Sequence, residues 1–317
     1  MPAVSLTSWH NFPAYALESE ALRLVIVPDL GAKIVSLYDK IHQREWLVPP
    51  IRPARQTAYG DDFVSQDMSG WDEMLPTIVT CEYAGKILPD HGEIWSIPWK
   101  RENVDGALSF SVDGVALPYR FTRTAALVAP ATLEFRYQIL NTGQQAFSYL
   151  WAAHPQFAAD AHTRIVFPPE VEQVVNVIEN DPVWGAAGDL ASWPVAVAAS
   201  GAEWRLDTVR GVEHRACRKF YTRPEQPIGW AALVDEQRNC QLRLEWPADF
   251  APYLGLWIDE GMYNTAPVAA LEPTNGYYDS LERAIENQQV AVLEPGQQVN
   301  WTLKVLLQKS ERYRDLS

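Results

Sequence analysis

Cysteine is scarce in this chain. Cys81, Cys217 and Cys240 are the only three in 317 residues, and they lie far apart. No CxxC pair exists, so neither a disulfide framework nor a cysteine-rich metal site is expected. Basic residues are also few: 26 Lys and Arg stand against 40 Asp and Glu, a formal net charge of -14. That balance repels phosphate backbones and anionic lipids, so neither nucleic acid nor a membrane is an expected partner. No apolar run approaches the roughly 20 residues of a membrane span. The opening MPAVSLTSWHNF lacks the basic-then-apolar order of a signal peptide, and a cytoplasmic location is expected. The GxxxxGKS/T, GxGxxG and GxSxG patterns are missing too. Nucleotide, dinucleotide and covalent-hydrolase chemistry therefore lose ground.

Helical periodicity is nearly absent. The best stretch is YDSLERAIENQ, where Leu281 and Ile285 stand four apart. The 23 prolines suit loops and strand edges and oppose long helices. What is present has a period of two. In TLEFRYQIL, Leu133, Phe135, Tyr137 and Ile139 alternate with polar residues. QLRLEW and NWTLKVLLQ repeat the pattern with Leu242, Leu244, Trp246 and with Trp301, Leu303, Val305, Leu307. LRLVIVP and KIVSLYD read as paired strands around a PDLG turn. VDG, NTGQQ and EPGQQ mark further turns. The span from Pro168 to Ala202 reads as a long loop-rich excursion. This pattern predicts an all-β chain folded as a large antiparallel β-sandwich, with a concave face for a ligand.

Thirteen tryptophans are many for this length. Several stand beside polar residues, in SGWDEM, HGEIWSIPWK and LGLWIDEG. Flat rings next to carboxylates suit a ligand with apolar faces and a polar rim, such as a sugar. Four segments carry candidate chemistry. SGWDEMLPT joins Trp71 to Asp72 and Glu73, and reads equally well as an exposed acidic turn. LPDHGEIWSIPW puts His91 in a turn. YLWAAHPQF sets His154 after two alanines and before a proline, at an expected strand end facing a cavity. AALEPTNGYYD ends an apolar run on Glu272, where a carboxylate is costly unless paired or used. A histidine and a glutamate at two strand ends can form an acid–base pair across one cleft. A metal site from His91, Glu93 and His154 is a weaker reading, because no HxH or HExxH motif accompanies it. His10, His42, His162 and His214 read as surface or structural.

In this order, LRLVIVPDLGAKIVSLYDK, GWDEMLPTI, PDHGEIW, WAAHPQF, LEPTNGYYDSL and LEPGQQVNWTLKVLL resemble the aldose 1-epimerase (galactose mutarotase-like) superfamily over almost the full length. The resemblance implies a β-supersandwich and one domain over residues 1–317. It implies interconversion of the α and β anomers of a free sugar, with no metal or organic cofactor. By position, Glu272 matches the family's base, His154 its acid, and His91 a second histidine that binds the sugar. Asp72, Glu73, Trp257 and Asp259 are expected to bind sugar as well. The galactose enzymes carry an arginine near the position of Trp71, Asp72 and Glu73, and an aromatic and an asparagine after the histidine where this chain reads HPQF. These departures leave the sugar open. The expected partner is a small-molecule sugar, and a homodimer is left open. Two alternatives stand beside the epimerase: a non-catalytic carbohydrate-binding protein of the same fold, and a glycoside-cleaving enzyme using Asp72 or Glu73 with Glu272.

Overall fold

Alternating apolar residues make strands, and strands with one apolar face must stack. The computed structural model describes residues 3–198 and 200–310. Two antiparallel sheets, of 13 and 8 strands, carry the fold, so the expected all-β sandwich is borne out. The larger sheet runs from an edge at Ala3–Trp9 through Phe12–Glu18, Leu22–Val27 and Lys33–Asp39 to Trp71–Met74. It continues through Ala152–Pro155, Val268–Thr274, Tyr253–Glu260, Ala216–Thr222 and Gln173–Asn176 to Leu190–Ser192. The smaller sheet includes the three strands whose alternation is plainest, Thr132–Asn141, Cys240–Glu245 and Gln298–Lys309.

The sheets close on an aromatic core. Leu133, Phe135, Tyr137 and Ile139 are buried from one side, and Trp71, Ala153 and Phe157 from the other. Trp71 meets Phe135 edge-on with ring centroids 5.3 Å apart, and Tyr137 stacks on Trp301 at 5.3 Å. Each such ring contributes roughly 1.5–3 kcal/mol by leaving water. One cluster of buried side chains reaches from Leu17 to Leu307. No helix among the described residues is long and apolar enough to cross a membrane.

Three local expectations need correction. The acidic segment is no exposed turn: Trp71–Met74 is an interior strand, and its four residues are buried. The span from 168 to 202 is more than a loop. It supplies Gln173–Asn176 and Leu190–Ser192, which extend the larger sheet at its edge. The short helix does form, over Leu281–Glu286, with Ser280 accepting from the Arg283 amide as its N-cap. However, it buries Leu281 and Ala284, while Ile285 is exposed. In six residues the apolar stripe takes i and i+3.

Candidate functional site

Neighbouring strands bring their side chains into rows across a sheet. Ile34 pairs with Trp71, which sets Lys33 beside Asp72. Asp72 pairs with His154. Ala152 pairs with Thr274, which sets His154 opposite Glu272. Glu272 pairs with Gly255, and Gly255 with Tyr221. Six strands thus build one largely polar row on the face turned away from the core. A second row lies beside it. Gln156 stands opposite Ala270, Ala270 pairs with Trp257, and Trp257 with Lys219.

His154 and Glu272 converge. His154 Nε2 lies 3.9 Å from Glu272 Oε1, and both side chains are buried. His154 Nδ1 has no protein partner. His91 joins them from the turn after Leu88. Its ring centroid is 5.0 Å from that of His154, and its Nδ1 bonds Asp90 at 2.8 Å. His91 takes a left-handed backbone, φ 59°, next to Gly92. A Cβ on Gly92 would come within 2.3 Å of the Leu75 carbonyl oxygen, so this turn requires glycine. Phe63 stacks on His91 at 3.8 Å and meets His154 edge-on at 5.3 Å.

Two lysines, Lys33 buried and Lys219 half-buried, flank the pair, and neither stood out in the sequence. Lys33 Nζ is 2.5 Å from Asp67 and 3.4 Å from Asp72. Lys219 Nζ is 2.9 Å from Glu272 Oε2 and 2.9 Å from Asp279 Oδ1. The contact to Oε2 lies off the hydrogen-bonding direction, so it acts chiefly as an ion pair. Tyr221 donates to Asp279 at 2.8 Å. Burial would lower the proton affinity of Lys219, but Asp279 and Glu272 raise it further, so the ammonium is held charged. Burial pushes the Glu272 carboxyl up, and Lys219 pulls it back. Burial, then the positive charges of His91, Lys219 and Lys33, hold His154 well below the usual histidine range. Burial raises Asp72 to about 6 against the pull of Lys33.

The remaining expected residues divide. Trp257 is half-buried in the second row, beside Lys219. Asp72 shares the row of His154, and neither of its oxygens has a hydrogen-bond partner. Glu73, the next residue along a strand, faces the opposite way into the core. Its oxygens accept from Arg123 at 2.9 Å, Tyr137 at 2.9 Å and Trp151 at 2.9 Å. Asp259 is buried and accepts the amides of Met262 at 2.7 Å and Asn264 at 2.7 Å, closing a turn. Glu93 is taken by the Ala116 amide and Tyr119 hydroxyl, each at 2.7 Å, and so stands apart from the two histidines. Trp71 and Trp99 are buried in the main core, whereas Trp95 packs on Phe63 and lines a small hollow beside Lys33 and Asp67. Gln156 is an addition. It is fully buried two residues beyond His154, on the same face, and neither atom of its amide has a partner.

No protein-family model matches the chain. No curated protein matches it either. Solved structures do. A galactose mutarotase related enzyme from Lactobacillus acidophilus superposes with a TM-score of 0.67 at 14% identity, over 96% of this chain and 100% of that one. A candidate aldose 1-epimerase from Escherichia coli K12 gives 0.66 at 15% identity, over 98% and 100%. A galactose mutarotase-like protein from Clostridium acetobutylicum gives 0.65 at 14% identity, over 97% and 99%. The chain therefore has the galactose mutarotase-like fold. At these identities the likeness extends to the fold and no further.

Proposed function

We propose that the protein interconverts the α and β anomers of a free sugar, as an aldose 1-epimerase does, by acid–base ring opening. The observation that carries this reading is the 3.9 Å approach of His154 Nε2 to Glu272 Oε1, with His91 adjoining. The anomeric hydroxyl and the ring oxygen share one carbon, so two proton-transfer groups this close can address both.

Glu272 Oε1 takes the proton of the anomeric hydroxyl. The C1–O1 bond becomes a carbonyl, the bond from C1 to the ring oxygen breaks, and the ring oxygen takes a proton from the His154 imidazolium. Rotation about C1–C2 presents the other face of the aldehyde. Reclosure reverses each transfer, so both groups return to their starting state. His91 is suited to hydrogen-bond the oxygen released on opening. Asp72, Trp257 and the free amide of Gln156 are suited to hold the sugar's other hydroxyls and one apolar face. Glu73 and Asp259 are left out of this set, since their oxygens are already engaged. The same engagement weakens a glycoside-cleaving reading through Glu73. Asp72 and Glu272 flank His154 on adjoining strands instead of facing each other across an open gap. A cytoplasmic enzyme acting on a small free sugar fits this chemistry.

The test is a screen of free aldoses. Exchange between the anomeric proton signals is read by NMR, and thermal stabilisation by the same sugars is read in parallel. Acceleration by at least one stabilising sugar supports the proposal. Stabilisation without accelerated exchange points to a carbohydrate-binding protein instead.

A further inference from the structure

We propose that Lys219 is the positioning residue of the site: bridged to Asp279, its ammonium keeps Glu272 a carboxylate and turns Oε1 toward His154. The inference rests on the acid–base reading above and assigns a role to a residue outside it.

The geometry has three parts. Lys219 Nζ contacts Glu272 Oε2 and Asp279 Oδ1 at 2.9 Å each. Asp279 is itself held by the Tyr221 hydroxyl at 2.8 Å. The two carboxylate oxygens of Glu272 are thereby made unequal. Oε2 is committed to the ammonium, and Oε1 is the one that points at His154. A base with one oxygen tethered loses rotational freedom and presents one lone-pair edge to the substrate.

The charges facing Glu272 define what the tether does. His154 and His91 approach from the adjoining strand and turn, Lys219 and Tyr221 from the strand Ala216–Thr222, and Asp279 from the segment before the helix. Burial favours a protonated Glu272, and Asp279 adds to that; Lys219, the larger of the cationic influences, opposes it. The same burial lowers the proton affinity of His154. Without the ammonium, burial and Asp279 would act on Glu272 with one opposing cation fewer, and the base would hold a proton more readily. Lys219 therefore fixes which partner takes the anomeric proton. It touches no sugar atom in this scheme, and Asp279 keeps it in place.

The test uses full-length protein carrying 13C at the glutamate side-chain carboxyl carbons. The Glu272 signal is assigned by its loss in Glu272→Gln, and the protein is titrated without sugar. In Lys219→Met the Glu272 midpoint should rise by about one to three pH units, the usual effect of removing an opposite charge at this range. Lys219→Arg should restore part of the shift. Asp279→Asn removes a like charge and should move the midpoint the other way. Opposed shifts in these two variants support the proposal. A midpoint that stays within a few tenths of a unit in Lys219→Met overturns it. Should Lys219→Met fail to fold, Lys219→Gln decides: a raised midpoint supports the proposal, and an unmoved midpoint overturns it. The acid limb of α-D-galactose or α-D-glucose exchange should follow the carboxyl midpoint in each active variant. A shifted midpoint with no accelerated exchange in the wild type supports the role of Lys219 while refuting the epimerase.

Discussion

Glu272 and Gly255 face each other across paired strands, and a Cβ on residue 255 would come within 3.0 Å of Glu272 Oε2. The same atom would come within 3.3 Å of the Tyr221 ring. The bare position lies between the strand that carries Lys219 and the one that carries Glu272. A side chain there would crowd the ion pair. Gly255→Ala is expected to lower anomer exchange several-fold, and Gly255→Val to lower it further. Overpacking of this kind costs about 1–3 kcal/mol, so both variants should remain folded. Polarimetry of freshly dissolved α-D-glucose, beside a thermal melt, separates lost activity from lost fold.

The pH dependence follows from two opposite displacements. In the proposed reaction Glu272 is ionised, and burial raises its carboxyl above the ordinary 4.5. In the same reaction His154 carries the proton it donates, and burial with nearby cations lowers it below 6.5. Activity therefore falls as pH drops through the Glu272 midpoint, and falls again as pH rises past that of His154. The two limits move toward each other, which narrows the bell and places it on the acid side of neutrality. A kcat/KM profile from pH 4 to 9 checks this. A flat profile through pH 8 would count against His154 as the acid.

Asp72 gives a stability signature of its own. Its folded carboxyl is raised from 3.8 to about 6, so the folded protein binds this proton more tightly than the unfolded chain. The resulting stabilisation is complete below about 3.8 and is lost as pH rises through about 6. At about 1.4 kcal/mol per pH unit, the swing approaches 3 kcal/mol. Asp72→Asn does not titrate. Urea denaturation at pH 4.5 and pH 8 should therefore show the stability of the wild type, relative to this variant, falling with rising pH. A constant difference would contradict the burial argument.

The sheet alternation of Leu133, Phe135, Tyr137 and Ile139 was readable because a period of two is a property of local sequence. His154 and Glu272 stood out as costly polar residues in apolar runs, but the expected strand end is not where Glu272 lies: it is the fifth of seven residues in Val268–Thr274. The unequal fates of Asp72 and Glu73 follow from the same alternation once Trp71–Met74 is known to be a strand. Lys219 and Lys33 left no such mark. ACRKFYT and LGAKIVS look like ordinary strands with one surface lysine each. What makes these lysines special is the register that sets Lys33 against Asp72 and puts Lys219 in the row beside that of Glu272, and register is a property of distant pairing. Gln156 was hidden for the same reason. Most tryptophans were misleading for another: a large ring beside polar residues can serve a core as readily as a cleft.

The central claim is that Glu272 removes the anomeric proton while His154 serves the ring oxygen. Glu272→Gln keeps the side chain's shape and removes its basicity, leaving its neighbours in place. Exchange spectroscopy on the anomeric protons of an aldose that the wild type turns over is the direct measurement. The account predicts at least a hundredfold loss of accelerated exchange, with the sugar still raising the melting temperature. A folded Glu272→Gln protein that exchanges anomers at the wild-type rate would contradict it.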